Sequence, residues 1–143
     1  MRPSIRFLLL AAVALLTGRP ALAELVVIVD AKSAVTQLTQ DEVINIFLGR
    51  HRRLPTGIAA VPIDQPATGE LRATFYRKLV DKNPSEINAY WSRLYFSGKT
   101  RPPVQASNMR EVIDHILATP GGIGYIERDA TDAKVRVVFS LPP

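Results

Sequence analysis

A continuous run of apolar, mostly β-branched residues, LVVIV at 25–29, constrains the fold of this chain more than any other feature. Such a run predicts a strand that is buried on both faces, a pattern typical of parallel sheets. Helical spacings of apolar residues alternate with further short apolar runs along the rest of the chain. This alternation predicts an α/β fold, in which helices flank a mixed sheet.

Capping residues predict where four helices begin. Thr39 and Glu42 form a capping box before the first helix, residues 68–72 open the second, Asn83 caps the third and Ser107 caps the fourth. Each helix should bury one apolar face. These faces are Val43, Ile46 and Phe47; Leu71, Phe75 and Leu79; Ile87, Tyr90, Trp91, Leu94 and Tyr95; and Val112, Ile113, Ile116 and Leu117.

Three further strands are predicted, at 58–64, 123–126 and 135–139. Because Pro62 cannot donate a backbone hydrogen bond, the first of these should be short or lie at an edge of the sheet. Residues 99–106 are expected to form a polar loop.

Residues 1–23 have the pattern of a secretory signal peptide. Arg2 and Arg6 precede an uncharged apolar run at 7–16, and Ala21-Leu22-Ala23 is a small-x-small cleavage site. The apolar run is shorter than the roughly 20 residues that span a bilayer. We therefore expect cleavage after Ala23, export to the periplasm, and a mature single domain at 24–143 that is not embedded in a membrane.

The composition excludes several classes of protein. The chain has no Cys, which excludes disulfides, thiolate metal sites, a cysteine nucleophile and a lipid anchor on an N-terminal Cys. Removing the signal peptide and its three Arg leaves 15 basic and 13 acidic residues, a balance that predicts no nucleic-acid partner.

No motif predicts catalysis. The chain lacks a Gly-x-Ser-x-Gly elbow, and its two His residues, His51 and His115, are too few for a metal site. Because His115 follows Glu111 by one helical turn, we expect the two to form a surface pair. The prediction is a non-enzymatic protein without metal or cofactor. The basic residues 50–53 are interpreted as a solvated loop, with steering of an anionic partner as the alternative.

Polar residues at three places could line a ligand cleft. Thr68, Gly69 and Arg72 lie at a helix start whose free backbone N–H groups could hold an anion, although Thr68 could simply cap the helix. Ser33 follows the first strand, and Ser107-Asn108 open another helix. We predict ligand binding by these residues, with capping as the alternative for each polar group.

Three segments together resemble a known family: LTQDEVINIFLG at 38–49, YWSRLYFSG at 90–98 and PGGIGYI at 120–126. They are similar to the second lobe of the phosphate-binding protein of ABC transporters, in the type II periplasmic-binding-protein-like superfamily. The resemblance implies a fold of which full-length members have two lobes closing over an oxyanion. This chain has the length of one lobe, so a homodimer is one way to supply the other.

The sequence departs from that family at the anion loop. Phosphate-binding members carry Ser-Gly-Thr six residues before a helix Phe, and counting back from Phe75 this chain has Gly69-Glu70-Leu71 there. The two hydroxyls are missing and a carboxylate is added, which should weaken binding of phosphate. Two hypotheses remain open. The chain is either a solute-binding-like protein that takes a small oxyanion weakly, or a ligand-less module that partners a membrane sensor or transporter.

Overall fold

The computed structural model describes residues 23–143, so the predicted signal peptide lies outside the described residues except for Ala23. Five strands and four α-helices make up this part of the chain. In chain order they are β1 (Leu25–Asp30), α1 (Gln40–Phe47), β2 (Val61–Asp64), α2 (Glu70–Val80), α3 (Pro84–Ser97), β3 (Val104–Gln105), α4 (Met109–Ala118), β4 (Gly122–Glu127) and β5 (Val135–Ser140). No helix among residues 23–143 is long and apolar enough to cross a membrane.

The strands form one mixed sheet in the order β3-β2-β4-β1-β5. β2 runs parallel to β3 and β4, whereas β1 runs antiparallel to both of its neighbours, β4 and β5. The α/β mixed-sheet prediction is confirmed. The expectation that β1 lies among parallel strands is wrong, because its burial comes from helices on both faces and not from strand direction.

Side chains of β1 alternate between two apolar cores. Leu25, Val27 and Val29 pack in the larger core with residues of α1, α2 and α3, while Val26 and Ile28 face a smaller core built with α4. Successive side chains of a strand point to opposite faces, so an unbroken apolar run is what a central strand between two helical layers requires.

The capping signals locate two helix starts correctly. Thr39 and Asn83 each form a complete capping box, with Glu42 and Glu86 respectively. The fourth helix is capped by Asn108, whose side chain accepts a hydrogen bond from the backbone N–H of Glu111, so the prediction of a Ser107 cap was wrong by one residue. Asn and Ser have similar preferences at this position, and sequence alone does not separate neighbouring candidates.

Several boundaries and faces differ from the predictions. The strand predicted at 58–64 begins only at Val61, and the predicted loop at 99–106 contains the two-residue β3. β2 is a short strand, as Pro62 indicated, but it lies between β3 and β4 and not at the edge of the sheet. Tyr95 and Leu117 are exposed instead of buried, because each lies near the end of its helix where no layer covers it.

The glycines of the segment PGGIGYI at 120–126 are required by the backbone conformation and by close packing. Gly121 has a φ of +79°, and a Cβ there would lie 2.0 Å from the carbonyl oxygen of Ala59. Gly124 lets α4 approach the sheet, since a Cβ there would lie 2.5 Å from a methyl carbon of Val112. Turn geometry and close packing therefore account for these glycines.

Candidate functional site

The carboxyl ends of β2 and β3 lie side by side, and this row of strand ends is called here the carboxyl edge of the sheet. Ligands bind at such an edge in many open α/β sheets. Ile63 pairs with Val104 and Asp64 pairs with Gln105, and the backbone N–H of Ala106 donates to the carbonyl of Asp64 at 2.9 Å. The start of α2 follows β2 and the start of α4 follows β3. This edge therefore brings two helix N-termini together.

A buried polar cluster lies beneath the start of α2. The carboxylate of Asp64 accepts hydrogen bonds from Arg72 Nε at 3.1 Å, from the hydroxyl of Tyr76 at 2.9 Å, and from the hydroxyl of Tyr125. The backbone N–H of Gln65 also donates to it, at 2.9 Å. Asp64 and Arg72 are 3% and 5% exposed, so the cluster is a charge-paired centre inside the core.

The two tyrosines of the cluster remain neutral donors. Burial raises the pKa of Tyr76 well above its ordinary value, and the neighbouring Asp64 charge raises it further. Burial and the Asp64 charge also raise the pKa of Tyr125. Their neutral hydroxyls can therefore stabilise the carboxylate at any physiological pH.

Arg72 uses only part of its hydrogen-bonding capacity. Its Nε binds Asp64, whereas its Nη1 is buried without a hydrogen-bond partner among the described residues. A guanidinium carries five N–H donors, and a buried donor without an acceptor is costly. Arg72 is the third residue of α2 and therefore belongs to the first turn of the helix.

The start of α2 has no side-chain cap. Gly69 is the N-cap residue, with no side-chain hydrogen bond to the helix, so Thr68 does not cap it. Backbone N–H groups of the first turn are left without intrahelical acceptors, and the helix dipole favours negative charge there. Thr68 and Glu70 are both exposed beside these groups. Glu70 already supplies one negative charge to this turn.

The remaining predicted binding residues lie at opposite ends of the strands, some at the carboxyl edge of β2 and β3 and one at the other end. Ser107 and Asn108 lie at the start of α4, on the same edge as Thr68, although the side chain of Asn108 is engaged in capping. Ser33 follows β1, whose Val29 pairs with Ile123 near the start of β4, so it lies at the opposite edge. Its Oγ accepts from the backbone N–H of Val35 at 3.1 Å.

Sequence reasoning placed Arg72 at the helix start but missed Asp64, Tyr76 and Tyr125. Two signals were present. Arg72 and Tyr76 lie four residues apart, on the side of α2 that also carries Phe75, and Asp64 ends an apolar strand where a buried charge needs a partner. No local pattern brings Tyr125 to the same point, because it comes from a strand 61 residues later.

Residues 23–143 contain no group of three or more acidic or His residues that could hold a metal ion. His115 lies 3.4 Å from Glu111, the expected pair within one helix. The basic loop borders an open cavity of about 650 Å³ near the start of β2, away from the α2 site. Arg52, Lys99 and Arg101 are among its lining residues.

Comparison with known proteins gives similarity at the level of structure alone. No family model matches the sequence, and no curated protein matches it significantly. A phosphate ABC transporter substrate-binding protein from Clostridium perfringens, solved with bound phosphate, superposes with a TM-score of 0.65 at 14% identity. The alignment covers 81% of this chain and 44% of that one. The fold is that of part of a phosphate transporter substrate-binding protein.

Two other solved structures give the same result. An ABC-type phosphate transport receptor from Vibrio cholerae has a TM-score of 0.65 at 13% identity, with 81% of this chain and 45% of that one covered. PstS from Borrelia burgdorferi has a TM-score of 0.63 at 16% identity, with coverages of 81% and 46%. The resemblance found in the sequence is thus confirmed for the fold. This chain spans less than half the length of the proteins it matches.

Proposed function

We propose that this protein is an exported, non-enzymatic solute-binding-like domain that binds a small oxyanion, such as phosphate or sulfate, at the start of α2. The observation that carries the proposal is the buried, unpartnered Nη1 of Arg72, a residue in the first turn of a helix whose start has no side-chain cap. Thr68 and the first-turn N–H groups would supply the exposed side of the site. The fold shared with phosphate-binding proteins supports this class of ligand.

The site predicts weak binding. Asp64 already offsets the charge of Arg72, and Glu70 repels an incoming anion from the first turn. The substitution Glu70→Gln should therefore tighten phosphate binding about two- to fivefold, the range of a single charge interaction at a helix end. Thr68→Ala should weaken binding without unfolding the protein, because Thr68 is exposed and does not cap α2.

Isothermal titration of residues 24–143 with phosphate and sulfate tests the proposal. The matched control is Asp41→Asn, which removes an equivalent exposed charge from the first turn of α1. The proposal requires tighter binding for Glu70→Gln and unchanged binding for Asp41→Asn. Absence of heat with both anions, from protein shown to be folded by circular dichroism, would leave the ligand-less module as the better account.

Export is part of the same proposal. Ala23 is exposed and precedes β1, so cleavage after it would leave every described strand intact. Glu24 would become the first residue, held by Arg128, whose Nε donates to its carboxylate at 2.7 Å. Mass spectrometry of the periplasmic fraction should give a protein that starts at Glu24. Retention of residues 1–23 would contradict this proposal.

A partner completes the proposed function. The matched proteins are more than twice as long as the aligned part of this chain, so the described residues correspond to at most one half of a closed cleft. A homodimer, a transporter or a membrane sensor could supply a second half. Sedimentation analysis with and without phosphate distinguishes a homodimer from the other two partners, because only a homodimer increases in mass when no other protein is present.

A further inference from the structure

The cavity beside the basic loop, here called the basic cavity, has a uniform charge. Its lining includes Arg52, Lys99 and Arg101, and no Asp or Glu. All three cationic side chains are exposed. Clustered like charges destabilise the free protein slightly, but they raise the local concentration of anionic partners. A polyanionic surface is therefore the natural complement of this cavity.

Two exposed aromatic residues extend one wall of the basic cavity. Tyr95 lines it and is 66% exposed, and Phe96 is 88% exposed, with its ring centroid 6.0 Å from that of Tyr95. Val104, at 43% exposure, lines the same cavity from β3. Large aromatic side chains beside cations are typical of protein interfaces, where they supply most of the binding energy.

We propose that the basic cavity docks an acidic segment of a partner protein, with carboxylates on the cations and an apolar side chain against Tyr95 and Phe96. The charge pattern selects this occupant over a second copy of the chain. A symmetric dimer would bring Lys99 and Arg101 against their own copies, and like charges facing each other are unfavourable. The concave shape disfavours a flat lipid surface.

Titration with defined probes, followed by backbone amide NMR shifts of residues 24–143, tests this proposal. The probes are an acetylated hexapeptide of alternating glutamate and leucine, the same peptide with lysine for glutamate, and phosphatidylglycerol vesicles. The expected result is that the glutamate peptide binds at least tenfold tighter than the lysine peptide and shifts residues around 95–104. Equal binding of both peptides, no binding of either, or preferential binding to the vesicles would overturn the proposal.

Paired variants separate this surface from the α2 site. Lys99→Glu/Arg101→Glu should abolish binding of the glutamate peptide, whereas Arg77→Glu/Lys134→Glu changes the net charge equally outside the cavity and should retain it. Phe96→Ser should weaken peptide binding without loss of stability, since the ring is exposed. Glu70→Gln should leave peptide binding unchanged. Loss of peptide binding in the Arg77→Glu/Lys134→Glu variant would show that binding depends only on the net charge of the protein, and would refute a specific site.

Discussion

Replacing Asp64 with Asn, an isosteric change, should destabilise the protein strongly. The side chain is 3% exposed and accepts from Arg72, Tyr76 and Tyr125. Asn leaves the buried guanidinium without a counter-charge and offers one acceptor oxygen in place of two. Breaking a buried ion pair by removing one partner costs about 3–5 kcal/mol. For a domain of this size, that corresponds to a fall in melting temperature of roughly 12–20 °C.

Chemical denaturation of the wild type, Asp64→Asn and Asp64→Asn/Arg72→Met measures this cost. The double variant also removes the unpaired positive charge, so it should be more stable than Asp64→Asn by at least about 1 kcal/mol. Asn45→Asp, a charge change at a partly buried residue of α1 outside the cluster, serves as a comparison. A cost below about 1 kcal/mol for Asp64→Asn, or a double variant less stable than the single one, would refute the reasoning.

Three other changes probe the fold. Burial raises the pKa values of Tyr76 and Tyr125, so the folded protein binds their protons more tightly than the unfolded chain does. The free energy of unfolding should therefore keep its full value below about pH 10 and fall above it by up to about 2.7 kcal/mol per pH unit. In a Tyr90→Phe/Tyr95→Phe variant, which keeps Tyr76 and Tyr125 as its two tyrosines, absorbance at 295 nm should show both phenols ionising only with alkaline unfolding, and gradual ionisation of the folded variant would contradict this. Gly121→Ala should destabilise strongly in thermal melts, because its Cβ would clash with a backbone carbonyl, whereas Gly57→Ala, with an equally positive φ but no neighbour within 4 Å, bears only the conformational strain. Asn108→Ala should cost about 1 kcal/mol through loss of the α4 cap, and no change in the denaturation midpoint would disprove the capping role.

Local signals in the sequence predicted most of the elements. The run at 25–29 indicated a strand covered on both faces, and the capping box at Thr39 and the cap at Asn83 located two helices to the residue. Strand direction was not predictable in the same way, since an apolar run records burial and not the orientation of its neighbours. β3 was missed because two exposed residues carry no periodicity.

The site was only partly predictable. Thr68, Gly69 and Arg72 could be selected because a helix start after a strand has a known chemistry, whatever the remaining fold. The cluster around Asp64 required the pairing of β2 with β4, which joins residues far apart in sequence. The separation of Ser33 from the other candidates followed from the antiparallel direction of β1, the one feature of topology that the apolar run misrepresented.

Phosphate titration of residues 24–143, followed residue by residue through backbone amide NMR shifts, tests the central claim most directly. The account predicts that the saturating shifts centre on the amides of 69–72 and on the side chain of Arg72, and that Glu70→Gln lowers the phosphate concentration needed to reach half of them. Shifts centred on Lys99 and Arg101, or no saturable shift at any phosphate concentration, would contradict an oxyanion site at the start of α2.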